Sequence, residues 1–248
     1  MLGKLFKYEM GAASRIFLPI YVALIILSIV NRIFRGINIL FMSRISGIIE
    51  VTLFVALGAA TLLLIIQRFN KNLLKDEGYL MFTLPVKSHT LIISKLLSAI
   101  VWSIGSGIIA TLAIMILACT GQDVTNIFKA LPEILQQIFK SSRNTTVCIQ
   151  MLLASILSYI QFILSIYFSL SVAQMPRLIK HRGKVSFCTF IIVSAVASIL
   201  FGYSMEGYSK LQVNEIVIGT FCVIEVAVIV AVLFALTNYI LSKHLNLE

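Results

Sequence analysis

Two carboxylates sit inside long apolar runs of this 248-residue chain: Glu225 near the middle of one, Glu50 near the end of another. A carboxylate at the centre of a membrane span costs about 3 kcal/mol on insertion scales, so each needs a physical reason. For Glu225 one reason is a substrate-pathway or proton-handling role. The other is a hydrogen bond to a neighbouring helix, with Ser158, Tyr159 and Gln161 as candidate partners. Glu50 carries the same two readings at a shallower position. Gln150, Gln161 and Gln174 share one apolar run, where they either line a polar path or bond adjacent helices.

Other chemistries find no residues to carry them. An intramembrane hydrolase needs a nucleophile with its base, or an acid–histidine pair, at membrane depth. His89, His181 and His244 all fall at the rims of apolar runs, so no catalytic residue is assigned. No GxxxxGK[ST] phosphate loop is present. Cys119, Cys148, Cys188 and Cys222 are far apart with no metal or redox spacing, so no metal is expected. Cys119 and Cys148 both fall near one membrane face, which would allow a bridge; the preferred reading is that the cysteines are buried small hydrophobes. One deep carboxylate without an intramembrane Lys, Arg or His is a thin proton relay.

The elements that position these residues follow from composition. The chain is 59% hydrophobic and 12% charged, against about 25% charged in a soluble domain. Apolar residues come in runs rather than on one face, which points to an all-α polytopic membrane protein. Six spans are predicted, over about 16–34, 45–66, 91–118, 147–173, 185–203 and 215–241. Before them, residues 1–15 place Leu2, Leu5, Phe6, Met10 and Ala13 at helical spacing opposite Lys4, Lys7, Tyr8 and Glu9. That pattern predicts an interfacial amphipathic helix. Lys95, near the start of the third span, is able to snorkel to the interface. Residues 121–146 read as a polar connection holding a short amphipathic helix. The six spans leave no room for a soluble domain and put both termini on one side. With the termini inside, thirteen Lys and Arg fall on inner segments and seven on outer ones, favouring a cytoplasmic N-terminus. The net charge of +10 is accounted for by such loops beside anionic lipid, so no nucleic-acid partner is expected.

The most concentrated polar feature is the loop over 68–90, between the second and third spans. Asp76 and Glu77 precede Gly78, then Tyr79, Leu80, Met81 and Phe82 crowd three apolar groups and a phenol together. Leu84 follows, and Pro85 ends the run. A two-turn helix of this kind is unstable alone in water and must pack on something. Aromatic anchors beside charged residues resemble the composition of a protein interface; a headgroup-facing loop is the other reading.

The run Glu77-Gly78-Tyr79-Leu80-Met81-Phe82-Thr83-Leu84-Pro85-Val86 resembles the first cytoplasmic loop of bacterial type-2 ABC (ATP-binding cassette) exporter permeases. The amphipathic leader and the six-span layout are also similar to that family. The likeness is motif-grade over about 68–96 and a matter of layout elsewhere; the short connection at 204–214 departs from relatives with re-entrant helices there. The resemblance implies a single transmembrane domain over 1–248 in the bacterial cytoplasmic membrane. It implies two cytoplasmic ATPase subunits as partners, with ATP and Mg bound there rather than by this chain. A second permease chain, identical or not, completes the assembly, and Asp76–Pro85 becomes the coupling helix. The alternative class is a secondary transporter or small intramembrane enzyme using Glu225, with Glu50 and Gln161 as further pathway residues. A non-transporting anchor or sensor is a third reading.

Overall fold

Each apolar run becomes one long helix, because in lipid a backbone must satisfy its own hydrogen bonds. The computed structural model describes residues 2–37, 40–74, 88–118, 126, 129–130, 132–133, 136, 139–175, 181–210 and 214–243. Its helices are α1 (Leu2–Gly36), α2 (Leu40–Leu74), α3 (Ser88–Ala118), α4 (Ser142–Val172), α5 (Arg182–Lys210) and α6 (Glu215–Lys243). All six are long and apolar enough to cross a membrane, as a multi-pass membrane protein requires. The described positions between 126 and 140 are helical as well.

The largest difference from expectation is at the N-terminus. No break separates an interfacial helix from the first span; α1 runs unbroken for 35 residues. Ser14 and Arg15 supply no helix breaker, and Pro19 removes one backbone donor while the helix continues on both sides. Glu9 is correspondingly not on a polar outer face but buried. α2 is also longer than its apolar run, reaching Leu74 where that run ends near Gln67. At 1.5 Å per residue the seven extra positions extend it by about 10 Å.

Contacts divide the chain into two units, Met1–Gln67 with Ile93–Glu133, and Arg68–Ile92 with Ile134–Glu248. In the first, Ala13, Phe17, Tyr21 and Leu24 of α1 form a core with Leu57 and Leu64 of α2 and Ala113 of α3. Phe17 stacks on Trp102 with ring centres 4.9 Å apart. Gly105 matters here, since an added Cβ would lie 3.4 Å from the Tyr21 hydroxyl, whereas Gly107 faces open space. In the second unit α4 packs chiefly along α6 and less extensively on α5. Phe69, from the tail of α2, stacks on Tyr167 of α4 at 4.1 Å with both rings buried.

Candidate functional site

Several polar groups of the first unit are turned inward. Lys95 does not snorkel: its Nζ donates to Glu9 Oε1 at 2.9 Å, and the two side chains are 3% and 7% exposed. Glu9 lies eight residues before Phe17 on α1, so the helical period that fixes the aromatic core also aims this carboxylate inward. Glu50 is 1% exposed, deeper than its place in the apolar run suggests. Ser28 Oγ lies 2.5 Å from Glu50 Oε1 and 2.8 Å from the Leu24 carbonyl, and Asn31 Nδ2 donates to Glu50 Oε2 at 2.8 Å. Tyr21 and Ser106 share a hydroxyl–hydroxyl bond of 2.8 Å. Two buried atoms, Asn31 Oδ1 and Trp102 Nε1, have no partner among the described residues. These clusters tie helices together through buried side chains.

The second unit is built differently. At the end of the helices where α4 and α6 begin and α5 finishes, Arg143 meets Glu215 at 2.5 Å on an exposed surface. Two turns further along α4, Gln150 Nε2 donates to the Ile216 carbonyl and to Thr220 Oγ1, both at 2.9 Å. Gly219 makes that approach feasible, because a Cβ there would collide with the Gln150 carboxamide. Tyr208 then stacks on Phe221 across α5 and α6 at 5.4 Å. Below the stack lies the deep carboxylate.

Glu225 is ten residues into α6, about 15 Å along the helix, and is half-buried. Its partner is not Ser158, Tyr159 or Gln161 of α4. Ser204 of α5 approaches its Oε2 at 2.7 Å while also lying 2.9 Å from the Phe201 carbonyl. A hydroxyl has one proton, so it serves one of these acceptors at a time.

Next to this pair is a cleft of about 320 Å³ between α4, α5 and α6. Its polar wall consists of Ser158, Gln161 and Ser165 on α4 and Ser194 and Ser198 on α5. Phe162, Phe201, Val226 and Ile229 supply the apolar wall. Ser165 and Ser198 donate to carbonyls of their own helices, at 2.8 and 2.9 Å. The side chains of Ser158, Gln161 and Ser194 have no hydrogen-bond partner among the described residues, and no charged residue lines the cleft.

Of the sequence-predicted residues, the structure thus brings Gln161 into the cleft and Glu225 beside it, while Glu50 belongs to the closed cluster of the other unit. The loop residues Asp76 through Pro85 lie outside the described residues. Sequence reasoning named Ser158 but missed Ser165, Ser194 and Ser198. Their signal was the spacing Ser158, Gln161, Ser165 on one helix and Ser194, Ser198 on the next, which places polar groups on single faces. Among the described residues Cys148, Cys188 and Cys222 are free thiols, and Cys119 lies outside the described residues. Among the described residues no His, Cys, Asp and Glu cluster could hold a metal ion. Comparison with protein-family models, curated proteins and solved structures finds no match.

Proposed function

We propose that the chain is the membrane permease subunit of an ATP-binding-cassette transporter, an exporter, driven by separate cytoplasmic ATPase subunits. The observation that carries this reading is the run from Glu77 to Val86, placed between two long helices of a six-helix chain. The flanking geometry supports it. α2 continues past its apolar run to Leu74 and α3 starts at Ser88, so helical stalks lead into and out of the loop. Phe69, at the root of the first stalk, is locked against Tyr167 of α4. A push on the loop would therefore reach α4 through a rigid aromatic contact rather than through a flexible tether.

In this mechanism the chain sits in the bacterial cytoplasmic membrane with its termini inside, paired with a second permease chain. Tyr79, Met81, Phe82 and Leu84 seat in a groove of the ATPase. ATP and Mg bind there, closure of the ATPase pair moves the loop, and the helices switch between inward- and outward-open states. No catalytic residue belongs to this chain.

The test is extraction of the tagged chain from native membranes in mild detergent. An ATP-hydrolysing subunit is expected to co-purify with the native chain and to be lost from the Phe82→Ala/Leu84→Ala variant. Full retention of the ATPase by that variant would sink the coupling assignment. The second reading, a secondary transporter using Glu225, is favoured by the cleft beside that carboxylate. It predicts activity without any ATPase, abolished by Glu225→Gln and indifferent to the loop variant.

A further inference from the structure

We infer that the cleft of α4, α5 and α6, together with Glu225, is a binding site for a singly charged lipophilic cation. Such a ligand is an ammonium or phosphonium whose apolar body fills the cleft while its charge sits at the carboxylate.

The register of the helices places the charge. Ile229 lines the cleft and Glu225 is four residues before it on α6; Phe201 lines the cleft and Ser204 is three residues after it on α5. Each step is one helical turn on the same face. Both lead to the same hydrogen bond, Ser204 Oγ to Glu225 Oε2, so the carboxylate stands one turn beyond the cleft wall.

The chemistry of the ligand follows from what the site lacks. Glu9 has Lys95, and Glu50 has both Ser28 and Asn31. Glu225 has one hydroxyl, which it shares with the Phe201 carbonyl, and residues 147–172, 185–209 and 216–242 contain no Lys or Arg. An acidic side chain at this depth, half-buried rather than sealed, calls for a counter-charge that its own helices do not supply. The cleft itself has no charged lining, so the body of the ligand is neutral. Phe162 and Phe201 with Val226 and Ile229 give it apolar contact, and Ser158, Gln161 and Ser194 are available for one or two polar atoms. A volume of about 320 Å³ lies at the small end of ligand pockets, suited to a compact organic cation.

Binding by this chain alone is independent of the permease reading; only the identification of the cation as cargo rests on it. The test uses the full chain in phosphatidylcholine nanodiscs with radiolabelled tetraphenylphosphonium as probe and protein-free discs as background. Saturable binding is expected for the native chain, weakened about tenfold or more by Glu225→Gln, which removes the charge but keeps the shape. Ser194→Leu, which fills the cleft and leaves the carboxylate, should abolish it. Glu50→Gln, in the other unit, should leave it unchanged and so excludes a diffuse effect of net charge. Neutral triphenylphosphine should fail to compete. No saturable binding to the native chain, equal binding by Glu225→Gln, or displacement by triphenylphosphine would each overturn the proposal. Loss of ATPase co-purification would not, since that outcome bears on the permease reading alone.

Discussion

The two units of this chain handle the same problem, charge and polarity at membrane depth, in opposite ways. In the unit of α1, α2 and the body of α3, Glu9, Lys95, Ser28, Asn31 and Glu50 are all nearly inaccessible and bonded to one another. In the unit of α4, α5 and α6, Ser158, Gln161 and Glu225 are partly exposed; Ser158 and Gln161 line an opening and Glu225 stands one turn beyond it. Interhelical hydrogen bonds in a membrane contribute modestly, on the order of 0.6–2 kcal/mol each, so either arrangement is tolerable for folding. The difference lies in what each permits. A closed cluster fixes which helices meet and at what register, and an open one leaves donors and a carboxylate for something outside the chain. Rigidity belongs to the first unit and recognition to the second.

The ion pair buried in the first unit gives the strongest way to break this contrast. Glu9→Ala leaves Lys95 charged with 3% of its side chain exposed. Removing one partner of such a pair typically costs about 3–5 kcal/mol, whereas replacing both with apolar residues is often neutral or stabilising. Thermal unfolding in detergent should therefore show a large drop for Glu9→Ala and for Lys95→Ala, with recovery in Glu9→Leu/Lys95→Met. If the single variants melt like Glu225→Gln, the first unit is not closed in the sense argued.

Glu50 gives a smaller and more discriminating effect. Glu50→Ala strips Ser28 and Asn31 of their acceptor and leaves a cavity, for an expected loss of about 2–3 kcal/mol. Glutamine at the same position offers an amide donor towards Ser28 and a carbonyl for Asn31, so Glu50→Gln should lose less than about 1 kcal/mol. The same pair of substitutions at Glu225 should separate differently. There both should leave the melting temperature near its native value, because the carboxylate is half-buried and shares a single hydroxyl. Unfolding curves of the four variants side by side decide the matter.

How much of this was legible in the sequence depends on the length scale of the signal. Runs of about twenty apolar residues are set by bilayer thickness, so the six helices could be placed to within a few residues at most ends. α1 and the C-terminal ends of α2 and α5, which reach Leu74 and Lys210, ran longer because helical propensity continues where hydropathy stops. Glu9 misled for a related reason: Lys4, Lys7 and Glu9 share the polar positions of one amphipathic pattern, and only tertiary packing decides which of them turns inward. The partner of Lys95 lies 86 positions away, beyond the reach of any local pattern. Likewise Glu225 was conspicuous as a lone carboxylate, but Ser204 was not. Serine at membrane depth is usually satisfied by its own helix, as Ser165, Ser171 and Thr237 are here. The run Glu77–Val86 is the reverse case, legible as a motif and outside the described residues.

The smallest effect is the most useful control on the comparison. Arg143 and Glu215 approach to 2.5 Å, yet their side chains are 60% and 72% exposed. Distance alone would rank this pair above Glu9–Lys95 at 2.9 Å. Solvent reverses the ranking, because exposed pairs are worth about 0–1 kcal/mol and added salt screens them. Arg143→Ala should accordingly lower the melting temperature slightly at low ionic strength and not at all at about 1 M salt, where the screening length falls to roughly 3 Å. The deficit of Glu9→Ala should be the same in both, since the buried pair is shielded from the electrolyte. An Arg143→Ala loss that persists undiminished in high salt would mean that accessibility does not distinguish the two units, and the division into a closed and an open half would fail with it.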